Sequence, residues 1–388
     1  WVAALTPKSR KQAAFQFVER DPNLPNVLLI GDSISIGYTP YVQKELAGKC
    51  NVYRIPENGG DSKKALAQFE TWMGDSNWDV IHFNTGLHDM KRTVDNTLDI
   101  KGENVNSPKE YGNNLEEYFQ RLETTGAKLI WGGEACAVAP EGRANPNQLM
   151  CRKETEAGIV ELHDVLVSAH KERFASDDGL VVGLQLTHSG RFCRPYRKDL
   201  LEPAIVYRHP ILDRKFGIGL DDDVIISDAD LEKLIDLYIV GARIARDAGF
   251  DFVDVKHCHG YLAHELLSGF TRPGAFGGSF DGRTSFLRRI VAGIRDDQGK
   301  DAIAIGVRLS AFDWVPFQPD PDQAEAAKLG PGIPEPTDDC LPYRYGFGTD
   351  PNNPLAWDLS ETFQFLQLLR DLDIRLVNLS CGSPYYNP

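Results

Sequence analysis

The sequence predicts an α/β protein built on parallel sheets and organised in two segments. Short apolar runs, typical of strands buried on both faces, alternate with helical segments along the chain. Polar and glycine-rich residues follow several of these runs, as expected where the carboxyl ends of parallel strands form a binding edge. The composition, with 42% hydrophobic and 25% charged residues, is that of ordinary globular domains.

The first segment alternates four predicted strands with helices. The strands are 26–31, 51–55, 79–84 and 127–132. The helices between them are 39–49, 61–73 and 109–126. Continuous apolar strands separated by helices predict a parallel, flavodoxin-like sheet that is covered on both faces.

The second segment keeps the alternation but has longer loops. Its predicted strands are 127–137, 180–188, 250–258, 302–310 and 374–380. Its predicted helices include 153–174, 359–372 and 228–249, the last with Ser227 as N-cap. Long loops are expected at 190–226 and 313–357. A TIM (β/α)₈ barrel has eight strands, so a barrel here would be incomplete.

Composition excludes several classes of function. The formal net charge of -14 argues against binding to nucleic acid. The sequence contains no run of about 18 apolar residues, so no membrane span is predicted. Seven cysteines without a CxxC pair argue against a zinc ribbon or an iron–sulfur site and favour reduced thiols in the cytoplasm. The start at Trp1 leaves a processed or shortened amino terminus open.

Three motifs of the first segment follow successive strands. GDSIS (31–35) follows the first strand, NGG (58–60) the second and NTGLHD (84–89) the third. A serine at the first position lies near a helix N-terminus, where backbone N–H groups can hold a developing oxyanion. Taken alone, GDS also fits a turn with a capping serine.

Together these motifs resemble the SGNH (GDSL-type) hydrolase family over residues 25–131. The resemblance implies Ser33 as the nucleophile, with Gly60 and His88 contributing to the oxyanion hole. His88 stands where the family has asparagine. No Asp-x-x-His follows between residues 132 and 190, so the usual base is missing and we expect little or no hydrolysis.

Three clusters of polar residues end the strands of the second segment. They are LQLTHSGR with Gln185, His188 and Arg191, VDVKHCHGYL with Lys256, His259 and Tyr261, and VRLS with Arg308. Each residue alone is explained by core packing or a surface ion pair. Three clusters at one end of a barrel predict a site for a planar polar ligand, with a Tyr or His to move a proton.

These motifs, together with GEACAVAPEGR and LVNLSCGSPYYNP, resemble the old yellow enzyme family of NADH:flavin oxidoreductases over residues 129–388. The resemblance implies strands 2–6 of a TIM barrel, FMN as cofactor, NAD(P)H as reductant and an electron-poor alkene as the small-molecule substrate. The family's first strand and its phosphate-binding seventh and eighth strands are not recognised in the sequence.

The resemblance also implies residue roles at the flavin. Gln185 would bond the pyrimidine edge of the ring, and Arg308 would stabilise the reduced anion. Ala135 would lie close to the ring, and His188 beside Gln185.

Further roles are implied at the substrate. Tyr261 would donate a proton, and His259 would keep a donor beside the substrate carbonyl. Lys256 replaces a histidine of the family pattern, which favours a carboxylate or thioester substrate.

We therefore assign residues 1–130 to an SGNH hydrolase-like domain and residues 131–388 to an FMN-dependent oxidoreductase domain. Two alternatives stay open: a serine ester hydrolase that acts through Ser33, and a non-catalytic chimeric fragment. The seam at 127–132 fits either sheet, so both segments would compete for it. The oligomeric state is not predicted.

Overall fold

The architecture comes from a computed structural model of the chain. It describes residues 5, 7, 9–74, 76–83, 88–89, 92–94, 97–98, 103–107, 110–111, 113–114, 117–118, 121, 129–130, 135–177, 180–320 and 332–387. The chain divides into a front unit with residues 1–128 and a rear unit with residues 129–321 and 331–388. This division lies two residues before the predicted boundary.

The front unit contains a three-stranded parallel sheet in the order β2-β1-β3. Its strands are β1 (Asn26–Ile30), β2 (Asn51–Arg54) and β3 (Val80–Phe83), and its helices include α1 (Ser33–Glu45) and α2 (Ser62–Met73). Three short antiparallel strands follow: β4 (Arg92–Val94), β5 (Thr97–Leu98) and β6 (Glu103–Asn104). The first two helices and three strands match the predicted order.

Helix α1 begins six residues before the predicted start. The predicted helix covered residues 39–49. The chain instead turns directly after β1, where the backbone oxygen of Asp32 accepts hydrogen bonds from Ser35 Oγ at 2.8 Å and Ile36 N at 3.2 Å. Pro40 therefore lies inside the helix.

The rear unit contains a parallel sheet whose strands follow one another in chain order. They are β7 (Leu129–Ile130), β8 (Ala135–Ala137), β9 (Val181–Thr187), β10 (Phe252–His257), β11 (Ala304–Ser310) and β14 (Leu376–Ser380). Both β7 and β8 pair with β9, and β10, β11 and β14 follow in sequence. A sheet without a reversal of strand order is typical of a (β/α)₈ barrel and differs from a doubly wound sheet.

Pairing of β7 with β9 assigns the seam to the rear sheet. The sequence also allowed the seam strand to be a fourth strand of the front sheet, but its described residues pair with β9 instead. The described part of the front sheet has three strands.

Six α-helices of the described residues belong to the rear unit, and several of them pack against its sheet. They are α3 (Glu156–Phe174), α4 (Pro210–Phe216), α5 (Asp228–Ala248), α6 (Leu262–Leu267), α7 (Phe280–Gln298) and α8 (Ser360–Asp371). A continuous core joins the sheet to these helices, with fully buried side chains such as Tyr238, Val255, Ile290 and Phe365.

Both long predicted loops contain regular structure. The loop at 190–226 contains α4, whose seven residues are fewer than periodicity can reveal. His209 caps it by accepting from the N–H groups of Ile211 and Leu212 at 3.2 Å, and Pro210 opens it. The loop at 313–357 contains a two-stranded antiparallel pair, β12 (Phe317–Pro319) and β13 (Gly332–Pro334).

Candidate functional site

Strand register brings the predicted flavin residues to one face of the rear sheet. Gln185 on β9 lies opposite Ala135 on β8 and Asp254 on β10. Lys256 is two residues beyond Asp254, so it points to the same side, and its own partner on β11 is Arg308. The polar face therefore runs from Gln185 to Arg308 across three strands.

Asp254 connects these residues. Its Oδ2 accepts a hydrogen bond from Gln185 Nε2 at 2.6 Å, and its Oδ1 accepts one from the backbone N–H of Arg308 at 2.7 Å. Asp254 is fully buried. The bond fixes the orientation of the Gln185 amide and leaves its Oε1 as an acceptor for a ligand.

Sequence reasoning did not single out Asp254. The signal was present, since an acidic residue interrupts the otherwise apolar start of strand FVDVKH two positions before Lys256. A buried carboxylate in a strand requires a polar partner, and this partner belongs to the neighbouring strand.

Arg308 presents an unsatisfied donor. Its Nε is buried and has no hydrogen-bond partner among the described residues. A buried N–H without a partner costs roughly 1–3 kcal/mol, so an acceptor atom of a ligand would be favoured there.

Lys256 and Tyr261 contact each other at the end of β10. The Lys256 Nζ lies 4.0 Å from the centroid of the Tyr261 ring, and the two residues are 7% and 5% exposed. Burial raises the pKa of the Tyr261 phenol well above its ordinary value. The phenol is therefore protonated at neutral pH, as an acid catalyst must be.

A tight turn carries His259 between these two residues. His259 has φ of 65° and Gly260 has φ of 73°, so two successive residues occupy the left-handed region. The backbone N–H of His259 donates to Ser310 Oγ at 3.2 Å. Burial, with the positive charges of Lys256 and Arg308, lowers the pKa of His259 to about 2. The imidazole is therefore neutral.

The loop after β14 closes against this turn. Ser383 Oγ donates to the backbone oxygen of His259 at 2.8 Å, and the hydroxyls of Tyr385 and Tyr261 lie 2.8 Å apart. Tyr385 was not predicted as a site residue. The structure therefore adds a second phenol to the candidate site.

His188 lies behind the polar face. It is 2% exposed, and its Nδ1 accepts from the backbone N–H of Gly190 at 3.1 Å. Burial lowers the pKa of His188 to about 4. A neutral, packed imidazole fits a supporting position beside the strand end.

Arg191 does not point to the site as a free cation. It is 1% exposed and bonds Asp213, Glu265 at 2.9 Å and the backbone oxygen of Tyr207 at 2.9 Å. These contacts tie the loop before α4 to helix α6. Its role is therefore structural.

The front unit brings some of the predicted hydrolase residues to one sheet edge. Ser33 is the first residue of α1, directly after β1, and its side chain lies outside the described residues. His88 Nε2 lies 3.9 Å from Asp32 Oδ2. The N–H of Gly60 donates to Asn58 Oδ1 at 2.9 Å, so this donor is already used. Asp89 is bound by Ser62, which makes it structural.

Part of the chain is similar to a known protein family. A profile of the NADH:flavin oxidoreductase / NADH oxidase family matches residues 100–341. The match covers more than half of the chain. The chain belongs to this family. The match begins at residue 100, before the start expected at Leu129, and covers none of residues 1–99, so the hydrolase-like assignment there stays a prediction.

Individual relatives agree with the family. An NADPH dehydrogenase of Geobacillus sp. (strain WCH70) is 32% identical over 186 residues, which are 47% of this chain and 48% of the relative. The NADH:flavin oxidoreductase FG08077 of Gibberella zeae is 24% identical over 268 residues, 64% of this chain and 54% of the relative. The chain thus spans about half the length of the relatives that it matches.

Similar solved structures include a 2-naphthoyl-CoA reductase, with TM-score 0.44 and 19% identity over 66% of this chain and 33% of that one. A histamine dehydrogenase from Rhizobium sp. 4-9 has TM-score 0.36 and 20% identity over 47% of this chain and 25% of that one.

The family and its named relatives imply FMN as the cofactor and NAD(P)H as the reductant. Within the described residues, no helix is long and apolar enough to cross a membrane. Among the sequence-derived site residues, the structure brings Lys256, His259 and Tyr261 together and places Gln185 and Arg308 on the face beside them.

Proposed function

We propose that the rear unit reduces electron-poor alkenes with FMN and NAD(P)H, and that its polar face contacts the flavin. The observation that carries this proposal is the buried Arg308 Nε, which no described residue hydrogen-bonds, beside a Gln185 amide that Asp254 holds in place. A donor and an acceptor on one face suit the pyrimidine edge of a flavin.

Three residues of this face, and His188 behind it, have roles in the proposal. FMN, when bound, supplies hydride chemistry between NAD(P)H and the alkene. Gln185 Oε1 accepts from a ring N–H, and Arg308 donates to an acceptor and stabilises negative charge on the ring. Ala135, opposite Gln185, allows close approach, and neutral His188 supports the end of β9.

Residues at the end of β10 carry out proton transfer and substrate binding in this proposal. Tyr261 donates the proton, because burial keeps its phenol protonated. Neutral His259 offers a hydrogen bond without adding charge. Lys256, nearly buried and cationic, favours a substrate with an anionic or strongly polarised acyl group, such as an enoate or a thioester.

Reconstitution with FMN tests the cofactor. We expect the purified chain to take up FMN, and NADH or NADPH to bleach its absorption. Arg308→Met should weaken FMN binding by about ten- to a hundredfold, the equivalent of a charged hydrogen bond of about 1.5–3 kcal/mol. Arg375→Met is the matched control, because Arg375 is 78% exposed. Equal affinity of both variants would refute the role of Arg308.

Substrate choice tests Lys256. Lys256→His introduces the residue that the family pattern has at this position. We expect it to raise KM for an enoate more than KM for a neutral enone, since the fixed positive charge is lost. An unchanged ratio of the two KM values would contradict the assignment of an acidic or acyl substrate.

We also propose that the front unit is an SGNH hydrolase-like segment with weak or no turnover. The order β2-β1-β3 and the helix that begins at Ser33 support the resemblance. His88, the candidate oxyanion-hole donor, lies beside the turn that follows β1, with its Nε2 3.9 Å from Asp32 Oδ2.

Hydrolysis of p-nitrophenyl acetate tests this second proposal. We expect no rate above background, or a slow one that Ser33→Ala removes and Ser176→Ala leaves intact. A robust rate that disappears with Ser33→Ala would make ester hydrolysis the main activity. A colourless chain with neither activity would support the non-catalytic alternative.

A further inference from the structure

We propose that Tyr385 passes protons from solvent to Tyr261, so that the candidate site contains a two-tyrosine proton relay. The inference rests on the proposed function for the role of Tyr261 as proton donor. The relay itself is a property of the protein and exists without cofactor or substrate.

The geometry of the two hydroxyls supports the relay. Their oxygen atoms lie 2.8 Å apart, the ordinary length of an O–H···O hydrogen bond. Tyr261 is 5% exposed, whereas Tyr385 is only half-buried. The other hydroxyl beside Tyr261 belongs to Ser189, which is fully buried and does not lead to solvent. Among these neighbours, Tyr385 provides the path outward.

Two contacts hold Tyr385 in this position. Its ring stacks on Phe192 with centroids 4.2 Å apart and planes inclined by 11°. Its backbone N–H donates to Ser383 Oγ at 3.2 Å, and the same hydroxyl donates to the backbone oxygen of His259. The loop after β14 is therefore fixed to the turn that carries Tyr261, and the phenol pair does not depend on a bound ligand.

The proton transfers balance without a further reactant. The Tyr261 O–H bond breaks as its proton goes to the substrate carbon next to the one that receives hydride. Tyr261 is then a buried phenolate, which is unfavourable and strongly basic because burial raises its pKa. It takes the hydroxyl proton of Tyr385, and Tyr385 takes a proton from water.

Hydroxyl exchange in the free chain tests the relay directly. Tyrosine labelled with ¹³C at Cζ shows separate signals for O–H and O–D in mixed H₂O and D₂O when exchange is slow. We expect Tyr385→Phe to slow exchange of the Tyr261 hydroxyl by about tenfold or more, since the remaining route requires local opening of the structure. Tyr385→His, which keeps a ring that can pass protons, should restore most of the rate.

Two controls separate the relay from packing. Phenylalanine at position 385 keeps the stack on Phe192, so the fold is preserved. Tyr386→Phe removes the neighbouring buried phenol, and Ser189→Ala removes the other hydroxyl; neither should slow the exchange as Tyr385→Phe does. Unchanged or faster exchange in Tyr385→Phe would overturn the relay.

Activity measurements distinguish failure of the relay from failure of the proposed function. If the chain binds no FMN, the proposed function fails, and the exchange result still decides the relay. If the chain is active, Tyr385→Phe should slow the alkene-dependent half-reaction and increase its solvent isotope effect. The half-reaction with NAD(P)H should keep its rate, because it requires no proton from Tyr261.

Discussion

The close contact between Gly183 and Phe252 makes the parallel pairing of β9 and β10 testable. These residues are register partners, and a Cβ at position 183 would lie 2.1, 2.3 and 2.4 Å from three atoms of the Phe252 ring. Ordinary contacts begin at 3.4 Å. The Phe252 ring would have to move by about 1.3 Å to restore an ordinary contact. Such a movement is costly because the ring is 0% exposed and packed in the core.

Gly183→Ala should therefore destabilise the rear unit by about 1–3 kcal/mol, the usual cost of overpacking. Phe252→Ala should cost about 3–5 kcal/mol through the cavity that it leaves. In the double variant the clash is gone and the new methyl group fills part of the cavity. Its cost should fall below the sum of the single costs by about 1–3 kcal/mol.

Denaturant unfolding followed by hydrogen exchange of peptides from β9 and β10 measures these costs within the rear unit. Gly158→Ala is the matched control, because Gly158 lies on helix α3 and, outside the adjoining turns of that helix, no described atom lies within 4 Å of the position that a Cβ would take. That change should be neutral or stabilise by up to about 1 kcal/mol. Additive costs in the double variant, or a neutral Gly183→Ala, would refute the register of the two strands.

Two further predictions concern buried charge. Burial lowers the pKa of His188 and of His257 to about 4 in the folded chain. The unfolded chain therefore binds protons at these histidines at a higher pH than the folded chain does. The free energy of unfolding decreases as the pH falls from about 6.5 towards 4. From pH 7 to pH 5 each histidine should remove about 2 kcal/mol in urea unfolding, and equal stability at both pH values would contradict this. Glu265→Leu leaves the Arg191 guanidinium with fewer acceptors and should cost about 3 kcal/mol in unfolding free energy; a variant as stable as the parent would show that Asp213 alone satisfies Arg191.

Local patterns were sufficient to predict much of the fold. Apolar runs gave the strands of both sheets, because a strand buried on both faces has a recognisable composition. The ends of long helices followed from caps such as Ser227, whose side chain accepts from the N–H of Asp230 at 3.1 Å. The short helix α4 was missed for two reasons: its seven residues are too few to show a helical period, and its N-terminal cap is an uncommon one, His209 Nδ1.

Long-range pairing decided what local patterns left open. The seam strand fitted two sheets by composition, and only its pairing with β9 assigns it. Lys256 and Tyr261 were predicted together because they are neighbours in sequence. Tyr385 was not predicted, because its contact with Tyr261 spans 124 residues and depends on how the loop after β14 folds.

Strand order in the rear sheet has a consequence for how the chain acquires its structure. From β9 onward, each strand of this sheet pairs with the strand of the same sheet that comes before it in the chain, so these pairings can form in chain order. Such neighbouring contacts keep loop closure inexpensive and allow the sheet to grow from the amino end while the polypeptide is still being synthesised. Among the described strands of this sheet β14 emerges last, and the loop after it carries Tyr385, so the phenol pair forms only after β9, β10 and β11 have been synthesised.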